Sequence, residues 1–118
     1  MSDFIAVCTT GEVGLNTAKR VRLDGVAVAL VHAAEGFFAI ADRCSHADVS
    51  LADGEVYECA IECWLHGSAF DLRTGVPLSL PAIEPVATYA LRVVGDGADA
   101  VIEIDPTPIR ATASAPGQ

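Results

Sequence analysis

Apolar and polar positions along this chain follow the rhythm of strands. Phe4-Ile5-Ala6-Val7-Cys8 is a short apolar run, and Ala18 to Leu23 alternates charged with apolar residues. Asp24-Gly25 is a tight-hairpin pair, followed by the β-branched run Val26 to His32. A second turn over 33–36 precedes Phe37-Phe38-Ala39-Ile40. From Asp42 to Gly54 the alternation gives way to Cys, Ser, His, Asp and Gly, which reads as a loop. Strand character resumes over Glu55–Glu62 and stops again at 63–68. Ala69–Leu72 is a short strand before the Thr74-Gly75 turn. Pro77, Pro81 and Pro85 exclude a helix and predict an extended connection. Val86–Val94 reads as the best strand, turned at Gly95-Asp96-Gly97 and returning through Ala100–Ile104. Residues 106–118, rich in Pro, Ala, Ser and Thr, read as a flexible C-terminal tail. No segment holds a helical period. The pattern predicts an all-β chain with an antiparallel β-sandwich base from about 4–41 and 85–104. A smaller subdomain, about 42–80, is inserted between its strands, so that 1–105 make one domain.

Composition narrows the function. The chain has 118 residues, enough for one domain with a real core. Sixteen acidic against seven basic residues give a formal charge of -9. That argues against a nucleic-acid partner, whose phosphates need Lys and Arg, and favours partners with basic surfaces. No apolar run approaches the ~20 residues of a membrane span, and the first residues carry no secretory pattern. The expectation is a cytoplasmic, monomeric protein away from membranes. In that compartment its four cysteines are thiols, and metal binding is a better first reading than disulfides.

Two loops each offer one thiolate and one imidazole. Cys44-Ser45-His46 is C-x-H and Cys63-Trp64-Leu65-His66 is C-x2-H, with residues 47–62 between them. Soft thiolates suit iron–sulfur clusters. Two cysteines on one iron and two histidines on the other is the known ligand set of a Rieske [2Fe–2S] centre, so the agreement is a match to an existing pattern. These pairs, with Gly67-Ser68-Ala69-Phe70-Asp71 and Thr74-Gly75, resemble the Rieske ferredoxins, and the order of strands extends the resemblance loosely over 4–104. Trp64 departs from the proline that many members place after the second cysteine. The resemblance implies a Rieske fold in which Cys44 and Cys63 hold the inner iron. His46 and His66 hold the outer one, where the electron localises. It also implies an apolar docking rim at Trp64, Leu65, Ala47 and Val49, and no catalytic site. The function implied is one-electron transfer from an NAD(P)H-dependent FAD reductase, the ferredoxin reductase, to a terminal Rieske non-haem iron oxygenase that hydroxylates aromatic rings. Alternatives are the small subunit of an assimilatory NAD(P)H nitrite reductase, often lacking some ligands, and a Rieske carrier for another pathway such as iron–sulfur assembly.

Neutral imidazoles in place of two thiolates make the centre less negative, which raises its potential above the roughly -400 mV of plant-type clusters. High-potential Rieske proteins carry an extra cysteine in each loop, joined as a disulfide, and Val49 and Leu65 occupy those positions here. They also bond the cluster and a cysteine sulfur through a serine and a tyrosine. Ser68 matches the first and Phe70 replaces the second. Fewer donors to sulfur leave the reduced state less stabilised, so the expected potential is near the low end, about -150 mV. The expected midpoint is pH-independent near neutrality. Structural zinc is the competing use of two cysteines and two histidines, but C-x-H is tight for tetrahedral zinc. Cys8 and Cys59 fall in strands and read as small hydrophobes, and His32 as an ordinary strand-end side chain. Asp42, Asp48, Asp53, Glu55 and Glu58 read either as a solvated face or as an acidic collar that steers basic partners.

Overall fold

The computed structural model describes residues 4–43, 49–64, 67–78 and 85–109. Ten strands run in chain order: β1 (Ile5–Thr9), β2 (Thr17–Leu23), β3 (Val26–Ala33), β4 (Gly36–Ala41), β5 (Glu55–Tyr57), β6 (Ala60–Glu62), β7 (Ala69–Asp71), β8 (Thr88–Tyr89), β9 (Leu91–Val94) and β10 (Val101–Ile104). They form three antiparallel sheets with orders β1-β10-β9, β2-β3-β4-β8 and β5-β6-β7. Among the described residues, helical structure is confined to three short 3-10 turns, and no helix is long and apolar enough to cross a membrane.

The four-stranded sheet is the middle layer. One face of β3 sends Val28 and Leu30 into a core shared with Ile102 and Ile104 of β10. The opposite face sends Ala29, Val31 and Ala33 toward Val56, Ile61 and Phe70 of the small sheet. Successive side chains of a strand point to opposite faces, so a strand covered on both sides reads as a continuous apolar run. That accounts for the unbroken burial of Val28–Val31. Val28, Leu30 and Val31 each gain roughly 1.5–3 kcal/mol from leaving water.

Asp24 and Gly25 both have positive φ, 52° and 79°, as the two-residue turn between β2 and β3 requires. Two expected strands are interrupted. Residues 55–62 are a hairpin, β5 and β6, turned at Glu58 and Cys59 with φ of 52° and 56°. This left-handed pair lacks the Asn-Gly chemistry that would announce it. The 86–94 segment changes sheets: Tyr89 pairs with Ala39 in the middle layer, whereas Leu91 pairs with Ile104 in the outer one. A strand bent at a sandwich corner can serve both sheets. Within the stretch expected to be a tail, Ile109 pairs with the base: Thr88 and Ile109 exchange two backbone hydrogen bonds of 2.8 Å. Residues 110–118 lie outside the described residues.

Candidate metal centre

The C-x2-H loop, expected to carry the second ligand pair, is the connection between β6 and β7. Glu62 faces Ala69 across the pair, and the Cys63 N–H donates to the Ser68 carbonyl at 2.7 Å, which extends the ladder by one step. The Gly67 N–H donates to the Cys63 carbonyl at 2.9 Å. Gly67 has φ +76°, a conformation that glycine adopts without steric cost. Cys63, Ser68 and Phe70 are fully buried, and Cys63 and Phe70 belong to the core between the middle and small sheets. The Cys63 thiol is free of any disulfide. Cys44, His46 and His66 lie outside the described residues.

Backbone approaches hold this subdomain together. Gly54, next to β5, leaves no room for a Cβ against the Glu62 carbonyl, one residue before Cys63. Gly75 is equally close to the Val86 carbonyl, and the Val86 N–H donates to Gly75 at 2.9 Å. Asp71 Oδ1 accepts from the Arg73 and Thr74 N–H groups at 2.7 and 3.3 Å and fixes the turn. The Pro77 segment is extended along β7, with the Leu78 N–H bonded to the Ala69 carbonyl at 2.7 Å.

Trp64 is 55% exposed beside the buried thiol. With Cys63, Asp53, Glu55 and Glu62 it lines a recess of about 300 Å³. Val49 is half-buried and packs against the inner core. Leu65 and Ala47, the other expected rim residues, lie outside the described residues. Of the five acidic residues grouped from the sequence, Asp53, Glu55 and Glu58 are exposed and Asp48 lies outside the described residues. Asp42 is neither solvated nor part of a collar. It is buried, and it accepts hydrogen bonds from Arg20, Ser50 and the Ala52 N–H. Sequence reading missed Arg20 and Ser50 as its partners. It also missed Glu62, whose carboxylate accepts from the Tyr57 hydroxyl at 2.6 Å and pushes that phenol's pKa up.

The remaining cysteines and histidine have structural settings. Burial pushes the Cys8 and Cys59 thiols up, favouring the protonated form that is the poorer metal ligand. His32 stacks on Phe37 at 4.1 Å, with Nδ1 2.9 Å from the Val13 carbonyl. A carbonyl only accepts, so Nδ1 carries the proton. The donor set of two thiolates and two imidazoles, with one thiolate in a dry, hydrogen-bonded loop, fits an iron–sulfur cluster.

Comparison with known proteins agrees with that chemistry. Residues 3–90 match the Rieske [2Fe-2S] domain. The chain is 44% identical over 92 residues to the 3-phenylpropionate/cinnamic acid dioxygenase ferredoxin subunit of Photorhabdus laumondii, covering 77% of this chain and 86% of that protein. It superposes on the ferredoxin of carbazole 1,9a-dioxygenase from Nocardioides aromaticivorans IC177 with a TM-score of 0.78 at 34% identity, covering 90% of this chain and all (100%) of that one. A chain from a complex of reduced oxygenase and oxidised ferredoxin in carbazole 1,9a-dioxygenase superposes with a TM-score of 0.81 at 27% identity, covering 92% and 98% of the two chains. The all-β architecture, the family match and these relatives together place the chain in the Rieske [2Fe–2S] family, among the electron-carrying ferredoxins.

Proposed function

We propose that the protein carries single electrons from an FAD-dependent NAD(P)H reductase to a terminal Rieske non-haem iron oxygenase that attacks aromatic rings. Cys44 and Cys63 supply the thiolates, and His46 and His66 the imidazoles, that hold its [2Fe–2S] cluster. The observation that carries this reading is the 44% identity over 92 residues to a dioxygenase ferredoxin subunit, joined to the complete C-x-H and C-x2-H pairs of this chain. The bound cluster supplies reversible one-electron chemistry. The chain's own residues keep water from the Cys63 sulfur, through the burial of Cys63 and Phe70. They also present Trp64 as surface that a partner can cover.

The docking face combines that exposed indole with Asp53, Glu55 and Glu62 around the same recess. It suits an apolar contact ringed by basic side chains on the partner, so long-range attraction speeds encounter and salt weakens it. The working protein is a cytoplasmic monomer of one domain over 1–105, with its cluster-binding part at about 42–80.

Reconstitution tests the proposal. NADH-driven hydroxylation of an aromatic substrate by a matched reductase and oxygenase should require this protein, and should stop with Cys63→Ser. Trp64→Ala should slow transfer to the oxygenase while leaving the visible absorption of the cluster intact. Turnover with no aromatic oxygenase, beside turnover with a different acceptor, would contradict the assignment. Sedimentation as a dimer would contradict the monomer.

A further inference from the structure

Asp42 follows β4 directly and stands two residues before Cys44. Its side chain is 2% exposed. Oδ2 accepts from Arg20 Nε at 2.7 Å. The Ser50 hydroxyl reaches Oδ1 and Oδ2 at 2.7 and 2.8 Å, and the Ala52 N–H donates to Oδ1 at 2.7 Å. The Asp42 N–H donates to the Ala27 carbonyl of β3 at 3.1 Å. Arg20, on β2, also reaches Ser50 Oγ at 3.2 Å and Asp53 at 3.4 Å. One carboxylate, fixed to the middle sheet, therefore grips the chain again at Ser50 and Ala52. The segment between these holds, 43–49, contains Cys44 and His46.

We propose that Asp42 is the positioning residue of the first ligand loop, with Arg20 and Ser50 as its clamp. A buried carboxylate that loses its donors is costly, so the grip resists opening. Tying residue 42 to 50 and 52 closes the intervening chain into a short loop, which lowers the entropy cost of holding it together. Beyond the clamp, Gly54 abuts the Glu62 carbonyl, so the exit of the first loop is set against the entry to Cys63. The clamp thus ties residues 42, 50 and 52 through the backbone to Glu62, one residue before Cys63. This inference rests on the assignment of Cys44 and His46 as ligands.

The test uses holoprotein with Asp42→Ala, Asp42→Asn and Ser50→Ala. Ile102→Val is the control, a substitution in the fully buried core of the opposite layer. The readouts are the rate at which visible absorption bleaches under excess chelator and the EPR line shape of the reduced protein. Asp42→Ala should bleach at least tenfold faster than wild type and broaden the EPR signal. Ser50→Ala, which keeps the Arg20 and Ala52 contacts, should bleach several-fold faster. Asp42→Asn keeps an acceptor for the Ala52 N–H and should recover part of the loss. Ile102→Val should bleach at the wild-type rate although it unfolds more easily. Ser50→Ala decides the matter if Asp42→Ala does not fold. Wild-type bleaching and line shape in the clamp variants, or equally fast bleaching in Ile102→Val, would overturn the clamp alone. A wild-type chain that assembles no such cluster would overturn the ligand assignment and the clamp with it.

Discussion

In the base, β3 pairs with β2 through seven consecutive residues and with β4 through six, whereas each strand of the small sheet is three residues long. The base draws its order from long registers and from β3 side chains buried on both faces. The small sheet buries Val56, Ile61 and Phe70 against β3, and adds close backbone approaches at Gly54 and Gly75, the Asp71 turn and the Asp42 carboxylate. Strands that short have little pairing of their own, so their geometry depends also on polar and glycine contacts beside the two proposed ligand loops. The lesson is a division of labour. Hydrophobic patterning stabilises the platform, and specific local contacts shape the site.

Substitutions can break that contrast. The largest effect is expected from Phe70→Ala, because Phe70 is fully buried between the middle and small sheets. Denaturant titration should show a loss of about 3–5 kcal/mol. The same variant should release iron before the base unfolds, which coincident loss of both signals would contradict. Gly54→Ala comes next. Its new Cβ meets the Glu62 carbonyl, a backbone atom that cannot swing aside. A loss of about 3 kcal/mol is expected, with faster amide exchange in β5 and β6 than in β3. An unchanged unfolding midpoint would show that the two segments are not in close register.

Smaller changes sharpen the comparison. Glu58 is exposed at φ 52°, a region that Asn tolerates better than Glu. Glu58→Asn should therefore stabilise the small sheet by about 0.5 kcal/mol, readable as a higher denaturation midpoint. In the base, Glu12 accepts from the Thr9 N–H at 3.0 Å and the Thr9 hydroxyl at 3.2 Å. The backbone bond first, and the hydroxyl second, hold its carboxyl below the usual carboxylate range. A group depressed in the fold contributes stability above its unfolded pKa and loses it as pH falls through the folded one. Glu12→Gln should therefore be less stable than wild type at pH 7, with the gap closing as pH drops below about 4.3. A gap independent of pH would contradict the assignment.

The same division governs what could be read from the sequence. Asp24-Gly25 announced its turn because positive φ at both positions selects those residues. The β-branched Val26–His32 run indicates a strand, though not its burial on both faces. The C-x-H and C-x2-H pairs stand out in the sequence because each lies within four residues. Glu58-Cys59 does not, since neither residue favours the left-handed conformation and tertiary packing of Cys59 holds it there. The change of sheet after Tyr89 was hidden because apolar alternation continues through both halves. Asp42 looked like one more surface acid. Its partner Arg20 stands twenty-two residues earlier and Ser50 eight later, separations that carry no local signal.

Pulsed EPR on the dithionite-reduced protein, prepared with 15N-histidine, tests the central claim most directly. The account predicts a paramagnetic [2Fe–2S] signal carrying hyperfine couplings from two histidine nitrogens, with His46→Cys and His66→Cys each removing one. A signal without nitrogen coupling would mean a cluster held without histidine, and no signal at all would mean that no such cluster forms; either would contradict it.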